Sequence, residues 1–109
     1  MKLMIAIVQD DDASRLISDL MEEGFSATKL ATTGGFLRAG NTTLLMGVED
    51  ADTQRVMDIV ERVCKSRKQL VPTQTHLGIS SGSFTPNMIE VTVGGATVFV
   101  LSVDEFRKI

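Results

Sequence analysis

The chain has 109 residues, a formal net charge of −3 at pH 7, five phenylalanines, and neither tryptophan nor tyrosine. This length suits a single domain, residues 1–109, with one hydrophobic core. The acidic balance and the few aromatic residues argue against binding of a nucleic acid polymer, because wrapping one requires a broad basic surface and several stacking platforms. The single cysteine, Cys64, excludes an internal disulfide framework and a cysteine-rich zinc site, and we expect its side chain in the core.

The N-terminal segment reads MKLMIAIVQ and contains a continuous apolar run, residues 3–8. Such a run is too short for a buried helix and predicts a central strand covered on both faces. It also lacks the length and the cleavage pattern of a signal peptide, and no stretch of the sequence is long enough to span a bilayer. We therefore expect a cytoplasmic protein without membrane insertion.

A first amphipathic helix follows the acidic triplet Asp10, Asp11 and Asp12. We interpret these carboxylates as caps for the free N–H groups at a helix start, where they also favour the macrodipole, and not as a metal site. Gly24 is the predicted C-terminal stop. The apolar positions at helical spacing are Ala13, Leu16, Ile17, Leu20 and Met21.

The middle of the chain predicts two strands and a second helix. Residues 25–33 form the second strand and residues 42–48 the returning third strand. The second helix begins near Asp50 or Asp52. Its apolar stripe comprises Val56, Ile59, Val60, Val63 and Cys64, and its solvent face comprises Arg55, Asp58, Glu61 and Arg62.

The last third of the chain begins with residues 69–86, which are rich in Pro, Gly, Ser and Thr and show no sustained period. They predict a long, partly ordered loop that contains His76, the only histidine, without an obvious partner. The chain closes with two alternating runs, IEVTV and ATVFVLSV, about a turn or bulge at Gly94–Gly95.

The order of these elements is strand, helix, strand, strand, helix, strand, with the last strand folded or bulged. This is the βαββαβ arrangement of an α+β ferredoxin-like sandwich, an antiparallel sheet with both helices on one face. The opposite face then carries more apolar surface than two short helices can cover, so we expect homo-oligomerisation through it. The residues predicted for this open face are Val91, Val93, Val98, Val100 and their neighbours.

The run TKLATTGGFLRAGN has the composition of a loop that holds a ligand. Backbone amides at Gly34–Gly35 suit an anion, and Phe36 offers a flat face to a base. Lys29 and Arg38 add positive charge as electrostatic support for the same anion. The alternative is a flexible hairpin connection in which the glycines merely turn the chain.

Catalytic constellations are largely absent from the sequence. The glycine pair completes neither a P-loop nor a dinucleotide fingerprint, and no nucleophile has an obvious orienting partner. An acylphosphatase-like hydrolase, using Arg38 and Asn41 to bind phosphate and water, is the strongest enzymatic alternative. The glycine-rich signature expected before its first helix is replaced here by VQDDDAS. We therefore expect a protein that is not an enzyme and that needs no cofactor.

Three segments, KLMIAIVQD, ATKLATTGGFLRAGNTTLLMGV and VTVGGATVFVLSVDEF, together resemble the PII-like cyclic di-AMP receptor family of bacterial signalling proteins. The resemblance covers nearly the full length. It implies a ferredoxin-like subunit assembled as a homotrimer that binds one cyclic di-AMP in each of three clefts between neighbouring subunits, without catalysis.

The family's ligand contacts carry over where this chain matches. Thr28 and Asn41 are implied as side-chain hydrogen-bond partners, and Gly35, Phe36 and Leu37 as the loop segment that meets the nucleotide. Gly47 would let the backbone approach an adenine.

Two positions depart from the family's pattern. Ser26 stands where an arginine is common, and Lys108 stands where an amide side chain often reads the adenine edge. Losing a charge-assisted hydrogen bond weakens binding by about tenfold or more, so we expect altered affinity.

The relation to PII proteins implies a signalling mechanism. Cyclic di-AMP orders residues 34–40 and rearranges residues 69–86, so that an unidentified protein target is gained or lost. A classical PII-type sensor of ATP and 2-oxoglutarate remains an alternative, as does a structural trimeric adaptor in which Phe36 is an interface residue.

Overall fold

The computed structural model describes residues 1–30, 40–72 and 88–109. Predictions that concern His76, or the strand extension over residues 31–33, lie outside these ranges. The elements in chain order are β1 (Lys2–Gln9), α1 (Asp10–Glu22), β2 (Thr28–Leu30), β3 (Asn41–Val48), a 3₁₀ turn (Asp50–Asp52), α2 (Thr53–Cys64), β4 (Arg67–Pro72), β5 (Met88–Val93) and β6 (Ala96–Ser102).

The main sheet has four antiparallel strands in the order β2-β3-β1-β6, with α1 and α2 packed on one face. This order confirms the ferredoxin-like α+β fold, because the two βαβ halves interleave with β1 and β3 at the centre. The remaining strands, β4 and β5, pair with each other as a separate two-stranded ribbon.

The core lies between the two helices and the sheet face that every second residue of β1 and β3 presents. Among the described residues, the buried hydrophobic side chains are Met4, Ala6, Val8, Ala13, Leu16, Leu20, Leu44, Met46, Val48, Val56, Ile59, Val60, Val63 and Cys64.

Helix α1 confirms its predicted stripe except at the C-terminal end, Met21, and it also buries Asp12, which was predicted only as a helix cap. Met21 is 65% exposed, whereas Asp12 is only 5% exposed. Eight residues advance a helix by about 80° beyond two full turns, so Met21 has rotated away from the face that Ala13 presents. The predicted stop is confirmed: Gly24 follows the helix and donates its N–H to the Met21 carbonyl oxygen at 3.0 Å.

Helix α2 buries all five residues of its predicted stripe and exposes its predicted polar face. That face also reaches the neighbouring helix, because Arg62 lies 3.3 Å from Asp19 of α1. Cys64 is buried at the end of the helix as predicted, and burial raises the pKa of its thiol to about 11. The thiol is therefore protonated and unreactive near neutral pH.

The prediction of one long loop over residues 69–86 is wrong at its start. Gln69 to Pro72 belong to β4, which pairs with β5 from Arg67↔Val93 to Pro72↔Met88. The stabilising partner is distant in the chain, so no local period revealed the strand. Residues 73–86 lie outside the described ranges.

The glycine pair near the C-terminus does not form a hairpin between the two final runs. β5 pairs with β4 and β6 pairs with β1, so the chain passes from one sheet to the other at Gly94–Gly95. Both glycines have positive φ, 81° and 90°.

The sheet face away from the helices is apolar, but its residues differ from those predicted. Val98 lies opposite Ala6 and Val100 opposite Met4, which places both on the helix side. Val91 and Val93 belong to the ribbon. We use the name open face for the side that carries Leu3, Ile5, Ile7, Leu45, Phe99 and Leu101.

Candidate functional site

Three of the predicted ligand contacts lie on the open face. Asn41 and Gly47 are six residues apart on β3, so their positions share one side of the strand, about 20 Å apart. Thr28 on β2 lies directly opposite Leu45, which places it on the same side. Strand register therefore assembles Thr28, Asn41 and Gly47 on the face that the helices leave uncovered.

Residues before and within β2 alternate between the two faces. Phe25 and Ala27 pack against the core, and the intervening Ser26 is exposed, like Thr28. Lys29 lies opposite the buried Leu44, which places it on the helix side of the sheet, away from Thr28. The role of Lys29 as electrostatic support stays a prediction. Its position on the helix side does not favour that role within one subunit.

Lys108 is exposed in the C-terminal segment that follows β6. This segment is anchored at its start, where the Val103 N–H donates to the Met1 carbonyl oxygen at 3.2 Å. In the described part of the chain, no hydrogen bond or ion pair links Lys108 to Thr28, Asn41 or Gly47.

The remaining predicted contacts, Gly35, Phe36, Leu37 and Arg38, lie outside the described residues. The strands on either side of them are described. Leu30 lies opposite Thr43 at the end of the β2–β3 pair.

A cleft of 260 Å³ opens at the end of β1 that adjoins Asn41. Asn41 lies opposite Gln9, whose side-chain oxygen accepts the Gly94 N–H at 2.8 Å. Gln9 and Gly94 were not predicted as site residues. The only sequence signals were a polar residue directly after a buried strand and a glycine pair that also has a structural explanation.

The acidic triplet at the start of α1 does not cap the helix as predicted, and two of its carboxylates contact other elements. The helix is preceded by Gln9, and no side-chain cap is present. Asp10 instead accepts a hydrogen bond from the Thr42 hydroxyl, and Asp12 forms an ion pair with Arg67 at 2.9 Å. The hydrogen bond to Asp12 raises the pKa of the Arg67 guanidinium. The carboxylates do sit in the first turn, where they favour the macrodipole.

Comparison with protein families identifies the chain over its whole length. A family model described as "Cyclic-di-AMP receptor" matches residues 1–109, the whole chain. The chain belongs to the cyclic-di-AMP receptor family. Membership assigns it a binding role in cyclic di-AMP signalling and confirms the predicted PII-like relationship.

A solved structure shows the same fold. It is the crystal structure of a functionally unknown protein from Pediococcus pentosaceus ATCC 25745, with a TM-score of 0.77 and 42% sequence identity. The alignment covers 99% of this chain and 96% of that chain. Within the described ranges of this chain, no helix is long and apolar enough to cross a membrane.

Proposed function

We propose that this chain is a non-catalytic, cytoplasmic sensor that assembles as a homotrimer and binds cyclic di-AMP at the subunit interfaces. The observation that carries the proposal is the placement of Thr28, Asn41 and Gly47 on one open, apolar sheet face. Ligand binding is relayed to a partner protein by rearrangement of the loops next to the site. No cofactor takes part.

The interface assignment rests on the apolar surface that the single chain leaves exposed. Phe99 is 52% exposed and Leu101 is 46% exposed, beside the half-buried side chains of β1. An apolar strip of this kind on a small domain marks an interaction surface. Closed cyclic assembly of identical subunits covers it while leaving its polar margins available for a ligand.

Each predicted residue makes a different type of contact with the ligand. Thr28 and Asn41 supply side-chain hydrogen bonds, and Gly47 leaves space for a base next to the backbone. In the segment between β2 and β3, Phe36 stacks on a base, which is worth about 1–3 kcal/mol, while Gly35 and Leu37 contact the nucleotide through the main chain. Arg38 attracts the phosphates, whereas Lys29, which lies on the helix side of its own subunit, is left out of this set of contacts.

Isothermal titration of the purified protein with cyclic di-AMP tests the proposal, with cyclic di-GMP and ATP as controls. We expect one cyclic di-AMP per subunit and micromolar or tighter affinity. Preference for ATP would point to a classical PII-type sensor. Loss of the cyclic dinucleotide on long incubation would show a hydrolase and contradict the non-catalytic role.

Gly47→Ala is expected to impair ligand binding without destabilising the fold. A Cβ built at Gly47 meets no atom within 4 Å, and its φ is not positive. The substitution should leave the thermal midpoint unchanged or slightly raised, because alanine lowers the entropy of the unfolded chain. Affinity for cyclic di-AMP should fall at least about tenfold, equivalent to about 1.4 kcal/mol, if the base approaches the backbone here. Unchanged affinity would remove Gly47 from the site.

Ser26→Arg is expected to tighten cyclic di-AMP binding by about tenfold or more, because it adds a charge-assisted hydrogen bond at the margin of the open face. Ser18→Arg is the matched control, since Ser18 is exposed on α1 in the other layer. Titrations of both variants separate a local contact from a general effect of positive charge. Equal gains from both would show only long-range attraction.

A further inference from the structure

The turn from β1 into α1 contacts two separate regions of the molecule. Asp10 contacts Gly40 and Thr42, the neighbours of the site residue Asn41. Gln9 and Asp12 contact Gly94 and Arg67, at the base of the β4–β5 ribbon. We infer that residues 9–12 couple the position of Asn41 to the position of the ribbon.

On the site side, Asp10 contacts the residues on both sides of Asn41, the backbone of Gly40 and the side chain of Thr42. Its N–H donates to the Gly40 carbonyl oxygen at 2.8 Å. Its carboxylate accepts the hydroxyl hydrogen of Thr42, which is buried on the helix side of β3. A displacement of Asn41 along β3 therefore changes the geometry of both hydrogen bonds.

On the ribbon side, Asp12 and Gln9 hold the two strand ends that meet at the base. Arg67, the first residue of β4, donates to the two carboxylate oxygens of Asp12 at 2.9 and 3.4 Å and to the Lys65 carbonyl oxygen at 3.2 Å. Gly94, directly after β5, donates its N–H to Gln9. The ribbon is thus attached at both of its strands.

The ribbon has little other attachment among the described residues. Its two strands pack mainly on each other and make few contacts with the helices or the main sheet. Asp12 is almost fully buried, so its carboxylate depends on Arg67 for compensation of its charge. If the ribbon moves so that Arg67 leaves Asp12, the buried carboxylate loses its partner. The ion pair therefore favours the ribbon position seen here.

The coupling acts through a rigid element. Asp10 and Asp12 are in the same first turn of α1, whose core face is fixed by Leu16 and Leu20. A shift of Asp10 relative to the sheet is therefore passed to Asp12 within one helical turn. This step rests on the proposed function: a ligand bound at Asn41 changes, through residues 9–12, the position in which the ribbon meets a partner protein.

A ligand-free mutant cycle tests the coupling by hydrogen exchange at the β4 and β5 amides. Thr42→Val removes the hydroxyl at the site end, and Arg67→Gln removes the ion pair at the ribbon end. We expect Thr42→Val to speed ribbon exchange by about fivefold or more, the lower range of measured coupling between sites. The same change in the Arg67→Gln background should have no further effect on the ribbon.

Lys68→Gln is the matched control, because it breaks an exposed ion pair with Glu90 at 3.2 Å within the same ribbon. In this background Thr42→Val should retain its full effect. Amides of β1 report global unfolding and should remain protected in every variant. The double variant Asp12→Asn/Arg67→Gln provides a second test if Arg67→Gln does not fold, because it removes the buried charge together with its partner. Additive effects of Thr42→Val and Arg67→Gln, or no effect of Thr42→Val on the ribbon, would overturn the inference.

A second arm uses cyclic di-AMP. In the wild type, saturating ligand should slow ribbon exchange, whereas Arg67→Gln should lose this response and bind ligand more weakly by no more than the factor by which ligand slows ribbon exchange in the wild type. An equal response in Arg67→Gln would overturn the inference. If the wild type does not bind cyclic di-AMP, the proposed function fails, and the ligand-free cycle still decides whether the coupling exists.

Discussion

On the proposed trimeric assembly, an Ile5→Glu variant is expected to be monomeric and to lose cyclic di-AMP binding with it. Ile5 lies at the centre of the open face, opposite Leu45 on one side and Phe99 on the other. Burying a carboxylate there costs several kcal/mol for each subunit, because no cation is opposite it in the register. Sedimentation velocity measures the assembly, and titration measures the ligand.

Met21→Glu controls for the added charge. Met21 is exposed on α1, so the same substitution adds a carboxylate in the other layer of the domain. We expect this variant to assemble and bind ligand like the wild type. Circular dichroism checks that both variants keep the fold, which Ile5→Glu should do because Ile5 points away from the helix core. A trimeric Ile5→Glu with normal affinity would show that the open face is not the subunit interface.

The parts of the fold that the sequence predicts are those with a local period. The stripe of α2 is set by neighbours three to four residues away and is confirmed. The run in β1 predicted a central strand, which is confirmed, but covered on both faces, whereas within this chain only the face of Met4, Ala6 and Val8 is buried. Strand β4 was missed because its partner is β5, and an alternating pattern is weak in a ribbon that is exposed on most of its surface. The sequence predicted that the sheet has an apolar open face, but which residues lie on it depends on the strand register. A shift of one residue exchanges Val98 for Phe99.

The candidate site divides in a similar way. The positions of Thr28, Asn41 and Gly47 were predicted from family resemblance, and strand register places them on one face. The contacts of Gln9 and Asp12 depend on residues more than 50 positions away in the chain, Gly94 and Arg67. From the local sequence alone, Asp12 is interpreted as a cap of the helix start, because that explanation needs no distant partner.

Gly94→Ala is expected to be the most destabilising single methyl addition at the ribbon base. A Cβ there would lie 2.6 Å from the Arg67 guanidinium, 2.7 Å from the Lys65 carbonyl oxygen and 3.0 Å from the Cys64 carbonyl oxygen. The arginine side chain is able to move, but the two carbonyl oxygens belong to the chain leaving α2. The backbone itself has to shift, and movement of Arg67 exposes the unpaired charge of Asp12.

Gly95→Ala separates backbone strain from this clash. Gly95 has a φ of 90°, close to the 81° of Gly94, but a Cβ there meets nothing within 4 Å. Left-handed backbone costs alanine about 1–2 kcal/mol, which both variants bear. Overpacking adds about 1–3 kcal/mol for Gly94→Ala alone. Urea denaturation at one fixed protein concentration should show this order, since association of subunits makes stability depend on concentration. Equal losses in the two variants would mean that the chain from Cys64 to Lys65 yields to the methyl group, and that the ribbon base is less rigid than its contacts imply.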